Sequence, residues 1–450
     1  MFTQGCSSGN DGKKADTALV HLIMLGPGHF HAALLQKSMY KQIDSTVYLY
    51  APDGPEVKSY LALINQYNTR SDAPTAWKEK IYTGQDFLEK MLKEKNGNVV
   101  VIAGNNRKKT DYILKSIDNR QNVLADKPMA ITKAGFEKLK TAFADAKKNN
   151  VLLYDIMTER YEITNILQKA FSGLADVFGE LKKGTPESPA VTFESVHHFY
   201  KEVSGSPLVR PAWYFDVDQQ GEGIVDVTTH FIDLIQWECF PEVVLNYKKD
   251  IQMLSARHWP TVLTLGQFRQ VTGKEAYPAF LRKDVKDSLL KVYANGEMNY
   301  TIKGVHARVS VIWKFAAPKG SGDTYYAKLE GTKATLVIKQ GEEQHYKPVL
   351  YIEPAKTGDQ NNWEQALKNG LDQITEQYPG ITLKESNAGW EVVVPEKYNT
   401  GHEQHFALVI QKYLQYLQDD SMPDWETSYM LAKYYTTTEA LKKAEDQTAQ

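Results

Sequence analysis

Short apolar runs alternate with helical patterns over residues 21–155. The runs 22–25, 47–50, 99–103, 123–125 and 151–154 have the length and composition of buried strands. Segments with helical spacing, such as 85–93 and 133–149, separate them. Strands that alternate with helices predict a right-handed parallel βαβ sheet, and therefore an α/β domain over residues 21–155.

The pattern changes in the second part of the chain. From residue 288 onward, strand-like runs predominate at 289–294, 298–302, 308–315, 325–330 and 334–338. Asn295-Gly296 and Gly331-Thr332 predict turns between some of them, which favours an antiparallel sheet. We therefore expect an α+β domain over residues 156–450. Residues 356–399 are interpreted as a polar insertion with a helix near 363–377, followed by C-terminal helices within 402–444.

Length, charge and cysteine count limit the classes of function that the chain can have. A chain of 450 residues exceeds one ordinary core, so two domains with a shared cleft are expected. The formal net charge is -2 without a dense block of Lys and Arg, so nucleic acid is not an expected partner. No apolar run approaches the roughly 18 residues that span a bilayer. The two cysteines, Cys6 and Cys239, provide no disulfide framework.

Residues 1–20 are small and polar and are interpreted as a flexible tether. Gly5-Cys6 followed by Ser-Ser-Gly resembles the start of a mature bacterial lipoprotein, in which the cysteine carries the lipid. This interpretation predicts a lipid anchor at Cys6 and a periplasmic or membrane-anchored protein of a Gram-negative bacterium. The alternative is an arbitrary disordered N-terminus on a cytoplasmic protein.

One helical face collects groups that move protons. If a helix starts near Ile224, then Asp226, His230, Asp233 and Trp237 fall within roughly 60° of one another. An apolar stripe lies beside them, so this face is typical of a cleft wall. The alternative is that His230 and Asp226 cap and pair within a core.

A glycine turn follows the first strand. Gly26 and Gly28 precede a helical pattern that begins near His31, as in a dinucleotide-binding turn, and His31 occupies the place of the third glycine. Asp53 follows the second strand, where a carboxylate binds ribose hydroxyls, so the pattern favours NAD over NADP. The alternative for Asp53, which lies between Pro52 and Gly54, is an ordinary turn residue.

A lysine and a histidine pair complete the candidate residues. Lys127 follows the strand 123–125 and precedes Pro128, at the edge where parallel sheets bind ligands. Its alternative is a surface lysine in a turn. His402 and His405 have the i, i+3 spacing of metal ligands without a third ligand nearby, so we expect a surface cluster at a helix start and no metal.

Taken together, these motifs resemble a known family. The order Gly26-x-Gly28, Asp126-Lys127-Pro128, Arg160, Gly221-x-Gly223 and Asp226-x-x-x-His230 resembles the Gfo/Idh/MocA oxidoreductases, named after glucose-fructose oxidoreductase and inositol dehydrogenase. The C-terminal region resembles the variant domain of gut Bacteroidetes members. The departures are Asp126 for the usual glutamate, His31 for glycine, Glu222 within the Gly-Gly-Gly segment, and Gly104-Asn105-Asn106 for the usual Thr-Pro segment.

The resemblance implies a Rossmann domain that binds NAD(P), a large open and mostly antiparallel sheet, and a homo-oligomer. It also implies that Lys127, Asp226 and His230 are the catalytic set. Residues expected to contact the cofactor are Gly26, Gly28, His29, Phe30, His31, Asp53, Asn105, Asp126 and Lys127.

The residue types indicate oxidation of an alcohol, in which a base removes the hydroxyl proton while hydride leaves to nicotinamide. His230 is a candidate base, Asp226 orients it or binds a hydroxyl, and Lys127 stabilises an alkoxide. Whether Lys127 or His230 takes the proton stays open. Candidate substrate contacts are Arg160, His197, Trp213, Asp226 and His230.

We therefore hypothesise an NAD-dependent oxidoreductase that transfers hydride between a sugar or glycoside hydroxyl, with C3 as the candidate carbon, and a tightly bound nicotinamide. The resemblance supplies the substrate class. One alternative is an NAD-dependent glycosidase that works by transient C3 oxidation and elimination. Another is a non-catalytic sugar-binding protein on a degenerate Rossmann fold.

Overall fold

The computed structural model describes residues 19–203, 206–356 and 359–448. The N-terminal part forms a six-stranded, entirely parallel sheet in the order β3-β2-β1-β4-β5-β6. Its strands are β1 Val20–Leu25, β2 Ile43–Ala51, β3 Lys78–Thr83, β4 Val99–Ile102, β5 Asn122–Asp126 and β6 Leu153–Ile156. Its helices are α1 His31–Leu34, α2 Pro55–Thr69, α3 Phe87–Glu94, α4 Lys109–Asp118 and α5 Lys133–Asn149.

The strand order reverses at β1, which pairs with β2 on one side and with β4 on the other. Open parallel sheets bind ligands at the carboxyl ends of the strands, next to such a reversal. Gly26 follows β1 there, Gly104 follows β4, and Lys127 follows β5. The parallel βαβ sheet predicted from the apolar runs is confirmed.

The second part of the chain forms a ten-stranded sheet in the order β10-β12-β13-β7-β14-β15-β16-β18-β17, with β11 also paired to β12. All pairs are antiparallel except β13 with β7. Its strands are β7 Val191–Tyr200, β10 Ile251–Leu263, β11 Val285–Lys286, β12 Leu289–Ile302, β13 Val305–Ala316, β14 Thr324–Glu330, β15 Ala334–Gln340, β16 Val349–Pro354, β17 Thr382–Ser386 and β18 Gly389–Val393. A separate small hairpin pairs β8 Glu202–Val203 with β9 Ser206–Pro207.

Several helices of this part pack against the sheet, and two of them also contact the Rossmann half. The helices of this part are α6 Ile163–Ser172, α7 Val217–Gln220, α8 Thr228–Cys239, α9 Tyr247–Asp250, α10 Leu265–Thr272, α11 Gln360–Gln377, α12 His402–Asp419 and α13 Asp424–Thr448. Each half has its own apolar core, and α12 contributes to the N-terminal one through residues such as Phe406 and Tyr413. The predicted α+β architecture is confirmed, while the domain boundary near residue 155 stays a prediction. Within the described residues, no helix is both long and apolar enough to cross a membrane.

A buried ion cluster joins the two halves. The Nζ atom of Lys433 on α13, fully buried, lies 2.6 Å from Asp155 of β6 and 2.9 Å from Asp233 of α8. Arg160 donates to both oxygens of Asp233 and to Glu426. Burial alone would raise the pKa of Asp233, but Arg160 and Lys433 together hold it below its usual range. These charges fix α8 relative to β6.

The predicted turn at Asn295-Gly296 is wrong. Both residues lie inside β12, a single strand of 14 residues. The side-chain amide of Asn295 donates to the carbonyl of Trp259 and to Thr261, and its oxygen accepts from the amide of Trp313. The register between β10 and β12 shifts between Trp259 and Thr261, so Asn295 satisfies backbone groups that the ladder leaves unpaired there. Its role is therefore to hold a bulge.

Two other predictions need correction. The segment 356–399 contains the predicted helix, but it also contributes β17 and β18 to the edge of the large sheet. The helix predicted to start near Ile224 instead starts at Thr228, after a separate 3-10 turn at Gly223–Val225. The residues of the tether, including Cys6, lie outside the described residues.

The ion cluster generates a stability prediction. We expect Lys433→Met to lower the free energy of unfolding by about 3–5 kcal/mol, because it leaves Asp155 and Asp233 buried without their shared cation. Urea unfolding monitored by circular dichroism measures this difference. The matched control is Lys138→Met, which removes an exposed partner of Asp111 and should change stability by about 1 kcal/mol or less. Equal effects of the two substitutions would contradict the role of Lys433.

Candidate functional site

The backbone of the first βα turn lies in close contact with the backbone of the turn that follows β4. Gly26 has a φ of +54°, in the left-handed region that favours glycine. A Cβ atom on Gly104 would lie 2.3 Å from the carbonyl oxygen of Gly26 and 3.0 Å from the amide of Gly28. The amides of Gly28 and His29 donate to the carbonyl of Ala103, at 3.1 and 3.3 Å. Only glycine at position 104 allows the two turns to meet.

The polar residues predicted for a nucleotide lie along this same edge. Asp53 is exposed just beyond the end of β2. Asn105, after β4, accepts from the amide of Arg107 and donates to Gln219. Phe30 is 47% exposed at the start of α1. A glycine-lined turn, an exposed carboxylate at the β2 end and a helix start fit the residue set that a dinucleotide requires.

Beneath the turn lies a cluster of histidines around Asp126. His31 Nδ1 lies 3.0 Å from Asp126 Oδ2, and its Nε2 atom lies 3.1 Å from Nε2 of His402 on α12. Burial lowers the pKa of His29, and it lowers the pKa of His402 to about 4. Both imidazoles are therefore neutral at pH 7. The prediction of a surface cluster at His402 and His405 is wrong, since His405 is buried and His402 contacts His31.

The central contact of the site is an ion pair between the two halves of the protein. Lys127 Nζ donates to Asp226 Oδ1 at 2.6 Å, and the side chains are 14% and 8% exposed. Gln220 donates to the other oxygen of Asp226 at 2.9 Å. Asp226 can lie there because Gly223 packs against β12, where a Cβ atom would come within 1.7 Å of the carbonyl of Ala294.

His230 lies in the first turn of α8, near Lys127. Its Nδ1 atom is buried and has no hydrogen-bond partner within the described residues. Burial lowers its pKa well below 6.5, and the nearby positive charge of Lys127 lowers it further. A buried polar atom without a partner is costly, so an unpaired nitrogen next to a lysine and a carboxylate indicates a site where a ligand completes the hydrogen bonding. A neutral imidazole in this position is able to accept a proton.

An aromatic wall extends from Asp226 along the sheet. The ring of Trp313 stacks on Phe199 and on His197, with centroids 5.0 Å apart in each case. The guanidinium of Arg210 lies over the rings of Tyr214, at 4.8 Å, and Trp313, at 5.3 Å. A small cavity next to Asp226 is lined by Tyr214, Gln220, Tyr293 and Trp313, among others. Flat rings beside polar groups provide the kind of surface that binds a sugar face.

Several residues predicted as substrate contacts or as part of the helical face lie elsewhere. Arg160 is held by Asp233 and Glu426 in the ion cluster, so the predicted substrate contact of Arg160 finds no support in its geometry. Asp233 faces that cluster as well. Trp213 is buried in the core, and Trp237 lies under Lys169, whose Nζ is 4.1 Å from the ring centroid. The prediction that Asp226, His230, Asp233 and Trp237 share one helical face is therefore wrong. Asp226 precedes the helix, and the other side chains contact different neighbours.

The sequence patterns do not predict four residues of the site: Gln220, Glu159, Trp313 and His402 as a neighbour of His31. Glu159 follows β6, and burial raises its pKa to about 7. The sequence could have indicated Glu159, because it is next to Arg160 and follows the end of a predicted strand. Trp313 lies 87 positions after Asp226, and no local pattern connects the two.

A larger cavity of about 520 Å³ lies away from this chemistry. It is lined by residues of α6, α8 and α11, including Lys169, Trp237, Glu238 and Cys239. None of Lys127, Asp226 and His230 lines it. Size alone would favour this cavity. The smaller one is lined by Asp226, whose ion pair with Lys127 lies at the edge of the Rossmann sheet, and we therefore favour the smaller one.

Comparisons with known proteins agree with the fold. The family described as "Oxidoreductase family, NAD-binding Rossmann fold" matches residues 22–154, and "Putative oxidoreductase C terminal domain" matches residues 167–445. A crystal structure of "a putative oxidoreductase" from Parabacteroides merdae ATCC 43184 is 52% identical, with a TM-score of 0.94 over 96% of this chain and 98% of that chain. No curated protein matches the chain.

More distant structures share only the fold. An oxidoreductase domain protein from Kribbella flavida is 14% identical, with a TM-score of 0.60 over 96% of this chain and 98% of that one. The 3-ketoreductase KijD10 from Actinomadura kijaniata, in complex with NADP, is 13% identical, with a TM-score of 0.54 over 92% and 95%. By its two family matches and its 52% identical relative, the chain belongs to the Gfo/Idh/MocA family of oxidoreductases with an NAD-binding Rossmann fold.

Proposed function

We propose that the protein oxidises a secondary hydroxyl of a sugar or glycoside and transfers the hydride to a bound NAD. The observation that carries this proposal is the Lys127–Asp226 ion pair, 2.6 Å long, at the nucleotide-facing edge of the sheet beside the unpaired Nδ1 of His230. A lysine from the Rossmann half and an imidazole from the other half converge there. Alcohol oxidation needs these two kinds of group in one place.

The charge of each residue determines its role in the proposed reaction. When bound, the nicotinamide accepts the hydride from the carbinol carbon. His230 is neutral and takes the hydroxyl proton. Lys127 places its positive charge on the developing alkoxide oxygen, and Asp226 holds the ammonium group in position. The converse assignment, in which Lys127 takes the proton, uses the same three groups.

The substrate class and the preferred nucleotide rest on neighbouring residues. The wall formed by Tyr214, Trp313 and His197 offers ring faces and hydrogen-bonding groups to a pyranose. Asp53 at the end of β2 is placed to accept from ribose hydroxyls, and its charge disfavours the 2′-phosphate of NADP. These features support a glycoside as substrate and NAD as cofactor.

A second candidate function is a glycosidase that oxidises C3 transiently and eliminates the aglycone. Elimination requires a further base for the acidified C2 proton. Glu159 offers one, because burial raises its pKa to about 7 and Lys127 lies within electrostatic reach of its carboxyl group. This candidate predicts free sugar as product and no net reduction of the nucleotide.

Mass spectrometry of a panel of glycosides incubated with the protein and NAD tests the proposal. We expect a product two hydrogens lighter than one of the glycosides, with equimolar NADH. Free sugar without NADH would instead identify the glycosidase. Nucleotide released from the freshly denatured protein identifies the cofactor, and a panel that stays unchanged with every nucleotide would indicate a sugar-binding protein.

The ion pair predicts the effect of a charge-removing substitution. We expect Lys127→Met to lower kcat/KM by about 10²- to 10⁴-fold, because the alkoxide loses its positive partner. Steady-state kinetics on the glycoside identified above measures the loss, and Lys115→Met on the exposed face of α4 is the matched control. Retained turnover in Lys127→Met would exclude the proposed role.

Burial of His230 predicts a pH dependence. Since the folded protein depresses the pKa of this imidazole, its basic form persists below pH 6.5 and is lost only as the pH falls through the lowered value. We expect kcat/KM for oxidation to fall on the acid side only below pH 6.5. In His230→Asn we expect this acid limb of the pH profile to disappear, together with most of the activity. An acid limb near pH 7 would point to Glu159 and away from His230.

A further inference from the structure

Three side chains at the nucleotide-facing edge converge on a single point. They are His29 and His31 of the first βα turn, and Asp126 at the end of β5. One ligand atom from each, an imidazole nitrogen of each histidine and a carboxylate oxygen, lies within 4.8 Å of the other two. The side chains of His31 and Asp126 are 11% and 5% exposed, and that of His29 is 24% exposed, so the group opens to solvent only on the side of His29.

The spacing of these atoms fits a metal site. His31 Nδ1 lies 3.0 Å from Asp126 Oδ2, and His29 Nδ1 lies 3.7 Å from the same oxygen. Ligand atoms about 2.0–2.1 Å from a tetrahedral metal ion are about 3.3 Å apart, between these two values. A hydrogen bond explains the shorter distance but not the longer one. Among the residues that the structure describes, the one hydrogen-bonding contact of the His29 side chain is at 3.4 Å, with the amide of His31, and it does not account for the approach of His29 to Asp126.

We propose that His29, His31 and Asp126 bind one divalent transition-metal ion through Nδ1, Nδ1 and a carboxylate oxygen. Two imidazoles and one carboxylate suit Zn²⁺, Mn²⁺, Fe²⁺ or Co²⁺, and thiolate ligands, which select softer ions, are absent from this group. Three protein ligands leave at least one coordination position open, as in catalytic rather than structural sites.

A second layer of contacts orients two of these ligands. His31 Nε2 lies 3.1 Å from Nε2 of His402, so one ring nitrogen faces the metal position while the other is held by α12. Histidine ligands usually have such a partner on the second nitrogen. Lys109 donates to the backbone carbonyl of Asp126 at 2.8 Å and fixes the end of β5.

The surrounding charges indicate what fills the open position. Asp126 and Asp226 carry two negative charges, and Lys109 and Lys127 lie beside them. A divalent cation therefore adds positive charge that the protein does not balance, and an anion compensates for it. If the site also holds the proposed nucleotide, the pyrophosphate of that nucleotide supplies the anion. The metal ion should then bind more tightly to the protein with nucleotide than to the free protein, and the nucleotide should bind more tightly to the protein with metal.

The experiment measures metal binding by the full-length chain without any activity assay. Protein stripped with EDTA is dialysed against Zn²⁺ and analysed by inductively coupled plasma mass spectrometry, and Co²⁺ is titrated while visible absorption is recorded. We expect one Zn²⁺ per chain and Co²⁺ absorption bands. His29→Ala should weaken binding by about tenfold or more, whereas His345→Asn, at an exposed histidine, should not change it.

A measurement on the unmodified chain covers the case in which His29→Ala fails to fold. Diethyl pyrocarbonate modifies accessible histidines, and peptide mass spectrometry locates the modified residues. Zn²⁺ should protect His29 and leave His345 reactive. Binding below one tenth of an equivalent, equal binding by wild type and His29→Ala, or equal protection of both histidines would overturn the proposal. These outcomes do not depend on the glycoside assay, so the two proposals fail separately.

Discussion

Lys433 carries the charge on which the contact between the two halves depends. Its ammonium group is fully buried between the carboxylates of Asp155 and Asp233. Because an isolated buried charge is prohibitive, β6, α8 and α13 can pack only with all three groups in register. Asp233 lies one turn beyond His230 on α8. The same contact that holds the halves together therefore sets where His230 lies relative to Lys127.

Close backbone approach is the second constraint, and it acts through a few glycines. Gly104 allows the turns after β1 and β4 to touch, and Gly223 allows the segment before α8 to lie on β12. A side chain on Gly104 would overlap backbone atoms of the turn after β1, and one on Gly223 would overlap backbone atoms of β12. Together these contacts set the separation between the nucleotide turn and Asp226. The ion pair between Lys127 and Asp226 is the result of that packing rather than its cause.

Local patterns in the sequence predicted the elements better than the partners of each side chain. The parallel sheet, α5 and the position of Lys127 at a strand end follow from spacing within a few tens of residues. Trp213 and Trp313 illustrate the limit: both are 7% exposed and lie beside polar residues, yet Trp313 lines the cavity at Asp226 and Trp213 does not. The difference arises from strand pairing across more than one hundred residues. The predicted turn at Asn295-Gly296 is wrong for a related reason, since Asn295 lies at a bulge of β12 and bonds groups of Trp259 and Thr261 on the partner strand.

The replacement of the third fingerprint glycine by His31 follows from the position of the C-terminal helix. A glycine there lets the first helix pack closely on the strand, and here α1 comprises only four residues. The imidazole that replaces it is accommodated because Asp126 binds one ring nitrogen and His402 contacts the other. An ion pair between Lys37 and Glu403 and the packing of Phe406 against the His31 ring hold α12 against the same turn. The first βα turn and a helix more than 370 positions later therefore form one structural unit, and neither the histidine nor α12 would be stable in its position without the other.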